Sequence, residues 1–305
     1  MPMRNSGSGD LHFQGLGVAL VTPFSDDLSI DVERFRKHIE FQIENGVQLL
    51  IPAGTTGESV TMSTEEQLLV IQEAVNIANG RAKILAGIGG NNTSEVIGRA
   101  QRASELGIDG ILSSSPAYNK PTQEGLFQHF KVISESTSLP GILYNVPGRT
   151  SLNMTADTTL RLAQIDNIVG VKEASSDFPQ ITEIIDQSPD NFMVWSGNDD
   201  ETFQIMCVGG FGIVSVASNI IGLQIKKMME LILQQNISSA AIEHRRLLPI
   251  FKALFWVTNP IPIKYAVNKS GFRAGSPRLP MWPADAGFTS KFDSIIDQYD
   301  IDLPV

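Results

Sequence analysis

A (β/α)8 TIM barrel followed by a small helical C-terminal domain is the fold class that this 305-residue sequence predicts. Three observations predict it. Eight short runs rich in β-branched residues begin at positions 16, 47, 82, 108, 141, 168, 192 and 211, and each interval suits one strand plus one helix. The runs are apolar on both parities, as strands covered on both faces are. After residue 235 the strand rhythm stops and only helical periodicity continues. An open doubly wound sheet is the competing architecture. Eight near-regular units favour closure, and the segment VTPFSDD after the first run lacks a glycine-rich dinucleotide loop.

The predicted strands, in order, are Leu16–Thr22, Val47–Ala53, Ala82–Ile88, Ile108–Ser114, Gly141–Val146, Ile168–Ala174, Phe192–Gly197 and Phe211–Val216. Between the first two, residues 31–45 place Val32, Phe35, Ile39 and Ile43 on one helical face, with Asp31 as a candidate cap. Thr64–Asn79 repeats the pattern with Leu68, Ile71, Val75 and Ala78, and Ser63-Thr64-Glu65-Glu66 offers a capping box. The interval between the last two strands admits only a short helix. Residues 15–235 then form the barrel and 236–305 the C-terminal domain. The latter has one long helix over Ile237–Val257, a break at Asn259–Pro262, and further helices over 263–271 and 286–299. Residues 1–14 are rich in Gly and Ser, read as a flexible tail, and contain no apolar run that would serve as a secretory segment.

Composition narrows the function. Lys and Arg total 23 against 33 Asp and Glu, a net charge of −10, which disfavours nucleic acid and anionic membranes as partners. The longest uncharged stretch, 202–225, is interrupted by Gln204, Ser215, Ser218, Asn219 and several glycines, so no membrane span is expected. A single cysteine, Cys207, excludes an internal disulfide and fits the cytoplasm. The histidines at 12, 38, 129 and 244 have no metal-ligand spacing, and no P-loop or G-x-S-x-G motif occurs. Gly209, Gly210 and Gly212 hint at a phosphate site, but no basic residue lies between Lys172 and Lys226, so close packing is the better reading.

In such a barrel, chemistry gathers at the C-terminal ends of the strands. Four places there stand out. Lys172 shares parity with Gly170 and Ala174 in the sixth run. It is either a strand-end lysine reaching for solvent or a buried amine with a lowered pKa, able to form a Schiff base with a carbonyl. GTTGE at 54–58 is either an ordinary turn or a cradle of backbone N–H groups and threonine hydroxyls for a carboxylate. YNVPGRT at 144–150 supplies a phenol, Tyr144, and a guanidinium, Arg149, suited to a bidentate carboxylate pair. Each has a structural alternative: a buried satisfied tyrosine, and a surface ion pair. SPAYNKP at 115–121 holds Tyr118 in a stiff loop, as a lid or interface residue.

GTTGE, YNVPGRT and GVKEAS together resemble the dihydrodipicolinate synthase / N-acetylneuraminate lyase family, and the likeness runs from GVALVTPF (17–24) to NPIPIKYA (259–266) and RLPMWP (278–283). Arg149 resembles the synthase branch, since the keto-sugar-acid and sialic-acid lyases generally lack an arginine there. The alternative within the family is one of those other pyruvate-dependent aldolases. The resemblance implies condensation of pyruvate with L-aspartate 4-semialdehyde in lysine (diaminopimelate) biosynthesis. By it, Lys172 forms the Schiff base with pyruvate, and Thr55, Tyr144 and Tyr118 relay protons, Tyr118 reaching a neighbouring subunit's site. Thr56 binds the pyruvate carboxylate, Arg149 the carboxylate of the semialdehyde, and Gly197 and Val214 line the pocket. A homotetramer built as a dimer of dimers is implied, with no metal or redox cofactor. Lysine-regulated members generally carry an aromatic residue before the relay tyrosine and histidines after GTTGES. Here Ala117 and STEEQ (63–67) stand instead, though Asn91 and Glu95 resemble other parts of that effector site. Weak or absent lysine feedback is therefore expected.

Overall fold

The computed structural model describes residues 15–303. The expected tail at 1–14, with His12, lies outside them. Eight parallel strands follow one another around a closed barrel in chain order. They are β1 (Gly15–Ala19), β2 (Leu49–Ile51), β3 (Lys83–Gly87), β4 (Gly110–Ser114), β5 (Gly141–Asn145), β6 (Ile168–Glu173), β7 (Met193–Ser196) and β8 (Gly212–Ser215). Each lies within its predicted run or within one residue of it. The helices are α1 (Val32–Glu44), α2 (Thr64–Ala78), α3 (Thr93–Ser104), α4 (Gln123–Glu135), α5 (Pro147–Thr150), α6 (Ala156–Leu162), α7 (Phe178–Gln187) and α8 (Thr202–Cys207). α9 (Ser218–Leu233), α10 (Ile237–Ala253), α11 (Ile261–Lys269) and α12 (Ala286–Ile296) complete the chain. α8, six residues long, is the short helix that the final interval allows.

Contacts divide the described residues into two compact units. The first, residues 85–214, carries β4 to β8 apart from the last residue of β8. Its core joins strand residues Leu143, Val171 and Val194 to helix residues Phe130, Ile181 and Ile205. Burial of such side chains contributes about 1.5–3 kcal/mol each. Because successive residues of a strand point to opposite faces, the residues that follow those three in sequence, Tyr144, Lys172 and Trp195, project into the barrel. A Cβ at Gly210 would come within 2.8 Å of the Ile205 carbonyl, so this glycine serves close packing.

The second unit comprises residues 15–84 and 215–303. Local chemistry starts its helices where the sequence indicates. The Asp31 carboxylate accepts from Arg34 N at 3.0 Å, and Ser63 and Glu66 form a reciprocal capping box. α9 packs on β1 and on α10. Asn219 ties the first two segments together: its amide accepts from Val21 N and from His38 Nε2, and donates to Ala19 O. α10 ends at Ala253, four residues before the periodicity suggests, and α11 begins at Ile261 rather than after Pro262. Proline is tolerated in a first helical turn, where its missing N–H has no intrahelical acceptor to lose. Among the described residues no helix is long and apolar enough to cross a membrane.

Candidate active site

Hydrogen-bond register sets the centre of the first unit. Tyr144 on β5 pairs with Lys172 on β6, which pairs with Trp195 on β7. The three side chains therefore stand side by side on the inward face. Lys172 is 5% exposed, and its Nζ lies 4.2 Å from the centroid of the Tyr144 ring. The lysine does not reach for solvent. Two glycines make room around it. A Cβ at Gly170 would meet the Trp195 indole at 2.6 Å, so the indole fills the space on that side, packed edge-on against Phe211. A Cβ at Gly197 would meet Lys172 Cε at 3.2 Å and Ala174 Cβ at 2.8 Å. Both glycines are positions where a larger residue would displace the amine or its wall.

Burial drives the electrostatics. Loss of hydration pulls the Lys172 ammonium down to about 7. Asp199 opposes this from the turn after β7, and the positive charge of Arg149 adds to it. Burial likewise pushes the Tyr144 phenol up to about 12; Arg149 lowers it and Glu173 raises it. Near neutral pH the site thus holds an amine that is largely able to lose its proton beside a phenol that keeps its own. Glu173 follows Lys172 but faces the other way, fully buried. It accepts from Ser175 N at 2.9 Å, Asn145 Nδ2 at 3.0 Å and Gln180 Nε2 at 3.4 Å, and burial raises its pKa. Asn145 in turn binds Asn153 and the Met154 backbone, so this polar cluster holds the end of β6 against α6 and α7.

The other expected residues of this unit are placed as follows. Arg149 is exposed on the single turn of α5, with Pro147 opening that turn. Val214 is buried on β8. Tyr118 is 92% exposed in the single chain. Its loop is held by Asn91, whose side chain accepts from Ala117 N at 2.8 Å and whose carbonyl accepts from Asn119 Nδ2 at 3.0 Å.

Thr55 and Thr56 belong to the second unit, in the loop after β2. Thr55 is half-buried and Thr56 buried. Ala53 and Glu58 take left-handed backbone conformations (φ 56° and 61°), and a Cβ at Gly57 would meet Leu20 O at 3.0 Å. The turn is thus pressed against the end of β1. Asn259 Nδ2 donates to Thr56 Oγ1 at 3.0 Å. Glu58, 2% exposed, pairs with Lys264, 1% exposed, at 2.6 Å, and its other oxygen accepts from Arg278 N at 2.8 Å. The Lys264 ammonium also donates to Ser276 O and sits 3.9 Å from the Phe24 ring centroid. Burial pulls Lys264 down to about 8 against the attraction of Glu58. The GTTGE segment is therefore held by buried polar contacts at Thr56 and Glu58.

The sequence reading passes over Asp199, Asn259 and the Glu173 cluster. Asp199 had a usable signal, since it lies at the C-terminal end of a predicted strand. Asn259 had none, because its partner is 203 residues away. Among the described residues no group of three or more His, Cys, Asp or Glu could hold a metal ion.

Known proteins resemble this chain in sequence and fold. The profile of the dihydrodipicolinate synthetase family matches residues 12–299. The 4-hydroxy-tetrahydrodipicolinate synthase 1 of Halalkalibacterium halodurans is 47% identical over 268 residues, 88% of this chain and 91% of its own. The 4-hydroxy-tetrahydrodipicolinate synthase of Bacillus subtilis is 44% identical over 274 residues, 90% of this chain and 94% of its own. The crystal structure of dihydrodipicolinate synthase from Aquifex aeolicus superposes with a TM-score of 0.93 at 38% identity, covering 96% of this chain and all of that one. With the profile spanning nearly its whole length, the chain belongs to the dihydrodipicolinate synthetase family.

Proposed function

We propose that the chain is a 4-hydroxy-tetrahydrodipicolinate synthase that condenses pyruvate with L-aspartate 4-semialdehyde in lysine (diaminopimelate) biosynthesis. The observation that carries this reading is the buried Lys172 amine, drawn down to about 7 and seated over the Tyr144 ring. An unprotonated amine in a dry pocket attacks a ketone readily. The Lys172 nitrogen adds to C2 of pyruvate, water leaves, and the imine loses a proton from C3 to give an enamine. C3 then bonds to the aldehyde carbon of the semialdehyde, whose oxygen takes up a proton. The amino group of the bound product displaces Lys172 by attack on C2, closing the ring and returning the free lysine.

The proton movements fall to Tyr144, Thr55 and Tyr118, the last supplied by a neighbouring subunit. Burial keeps the Tyr144 phenol protonated near neutral pH, so it has a proton to give and then recover in each cycle. Thr56 holds the pyruvate carboxylate, and Arg149 receives the carboxylate of the semialdehyde at the exposed rim. Gly197 and Val214 line the pocket. In a chain of net charge −10 the guanidinium is a local attraction for two anionic substrates. The scheme calls for no metal or redox cofactor. We assign the protein to the cytoplasm and to a homotetramer built from tight dimers.

A coupled assay tests the activity. Protein, pyruvate and aspartate semialdehyde are combined with the reductase that consumes the product, and nicotinamide oxidation is followed. With pyruvate consumption followed in parallel, loss of pyruvate with the semialdehyde and none with sugar-derived aldehydes is the expected result; the reverse pattern would replace this reading with a keto-sugar-acid aldolase.

A further inference from the structure

We propose that Asn259 is a positioning residue that sets the direction of the Thr56 hydroxyl, so that its proton faces the carboxylate of the bound keto acid. The proposal rests on the reading of Thr56 as the hydroxyl that holds this carboxylate. A threonine hydroxyl has one proton to donate and two lone pairs that accept. The Asn259 side-chain N–H occupies a lone pair of Thr56 Oγ1 at 3.0 Å, and both residues are buried. The O–H must therefore point elsewhere. A carboxylate accepts only, so a hydroxyl fixed with its proton outward is complementary to it. An N–H donated to the oxygen also polarises the O–H and strengthens the bond that it makes.

The contact is held in register by its surroundings. Five residues after Asn259, Lys264 grips Glu58, two residues after Thr56. Between them lies Gly57, where a Cβ would come within 3.0 Å of Leu20 O and 3.1 Å of Thr22 Oγ1, so the turn runs close to the segment that follows β1. One segment of chain thus clasps the GTTGE loop twice, once through a neutral amide on the hydroxyl and once through an ion pair behind it. The amide is the part suited to direct a proton.

A double-mutant cycle tests the assignment. Asn259→Ala and Asn259→Asp are made in the native chain and in a Thr56→Val background. Steady-state kcat and both KM values are measured, together with borohydride trapping of pyruvate on Lys172. Asn259→Asp keeps the shape of the side chain, so it reports even if Asn259→Ala folds poorly. Loss of one hydrogen bond to a charged group corresponds to roughly ten- to hundredfold. Asn259→Ala should raise the KM for pyruvate about tenfold with kcat within about threefold. Asn259→Asp should raise it about a hundredfold, because a carboxylate accepts the Thr56 proton and turns a lone pair toward the substrate. In Thr56→Val both effects should shrink to about threefold or less, since no hydroxyl remains to direct. Effects of undiminished size in Thr56→Val, or effects on the semialdehyde KM instead, overturn the role of Asn259 while leaving that of Thr56 standing. A Thr56→Val protein with normal pyruvate KM overturns both. Failure of the native chain to trap pyruvate overturns the catalytic reading itself.

Discussion

The Lys172 amine rests 4.2 Å from the centre of the Tyr144 ring, on the neighbouring strand at the same level of the barrel. That spacing couples the two groups. The amine is seated on an aromatic face that tolerates its charged form, while burial favours its neutral one. Asp199 opposes burial from the turn after β7, and the balance lies at about 7.

Trapping of pyruvate on Lys172 with borohydride should follow that balance. The reactive species is the neutral amine, so the initial rate should rise with pH, reach half its plateau at about 7 and flatten well before the value of an ordinary lysine. Mass spectrometry of digested protein reads the adduct, which Lys172→Ala should abolish. A rate still climbing at pH 9 would show that the amine is not desolvated.

Arg149→Ala should separate the two substrates. Use of the semialdehyde should fall by about a hundredfold in kcat/KM, as for loss of a paired charge-assisted contact, while pyruvate trapping changes little. Arg149 also lowers the pKa of Lys172, so its loss should move the pH profile of trapping upward. Equal loss in both half-reactions would contradict the proposed role.

Tyr118, 92% exposed in the single chain, is the residue to test in mixed oligomers. Tyr118→Phe should lower kcat by about a hundredfold if its hydroxyl relays protons. Subunits carrying Tyr118→Phe, mixed with subunits carrying Lys172→Ala, should regain part of the activity that each lacks. An inactive mixture would place the Tyr118 hydroxyl at its own subunit's site or at none.

The buried pair of Glu58 and Lys264 should behave as a unit in stability measurements. Removing one partner, by Glu58→Gln or Lys264→Met, leaves the other desolvated and should cost about 3–5 kcal/mol. The double variant should lose less than the sum. Urea unfolding of the four proteins provides the cycle, and strict additivity would show the two groups to be uncoupled.

His38 predicts a specific acid sensitivity. The Asn219 side-chain oxygen accepts from His38 Nε2, which fixes a proton on that nitrogen and partly offsets the effect of burial. Burial lowers its pKa to about 4 from an unfolded value near 6.5. Between those values the unfolded chain binds the proton first, so stability present above about pH 6.5 is lost as pH falls toward 4. The loss is about 3 kcal/mol. His38→Gln, which can donate the same bond but does not titrate, should flatten the slope of urea stability over that window.

The strands were legible because barrel strands covered on both faces are apolar on both parities, as Phe192–Gly197 and Phe211–Val216 are. The caps at Asp31 and Ser63 were legible because their partners lie three residues away. Two classes of feature were not. The single turn of α5 is too short for periodicity, so the YNVPGRT segment gave Arg149 without its helix. Contacts between distant residues leave no local trace: nothing near Asn259 announces Thr56, and nothing in the Glu173 sequence neighbourhood announces Asn145 or Gln180. The burial of Lys172 was legible only as one of two alternatives, since parity places a side chain on a face but not beneath a neighbour's ring.

Gly197 bears on how such a protein can change over time. A methyl group there would come within 2.8 Å of Ala174 Cβ, 3.0 Å of the Glu173 carbonyl oxygen and 3.2 Å of Lys172 Cε. Ala174 would have to shift, and the Glu173 carbonyl and the Lys172 stem to give slightly. On the proposed reading, a change of aldehyde preference is therefore more readily accommodated at the exposed Arg149 than beside the amine.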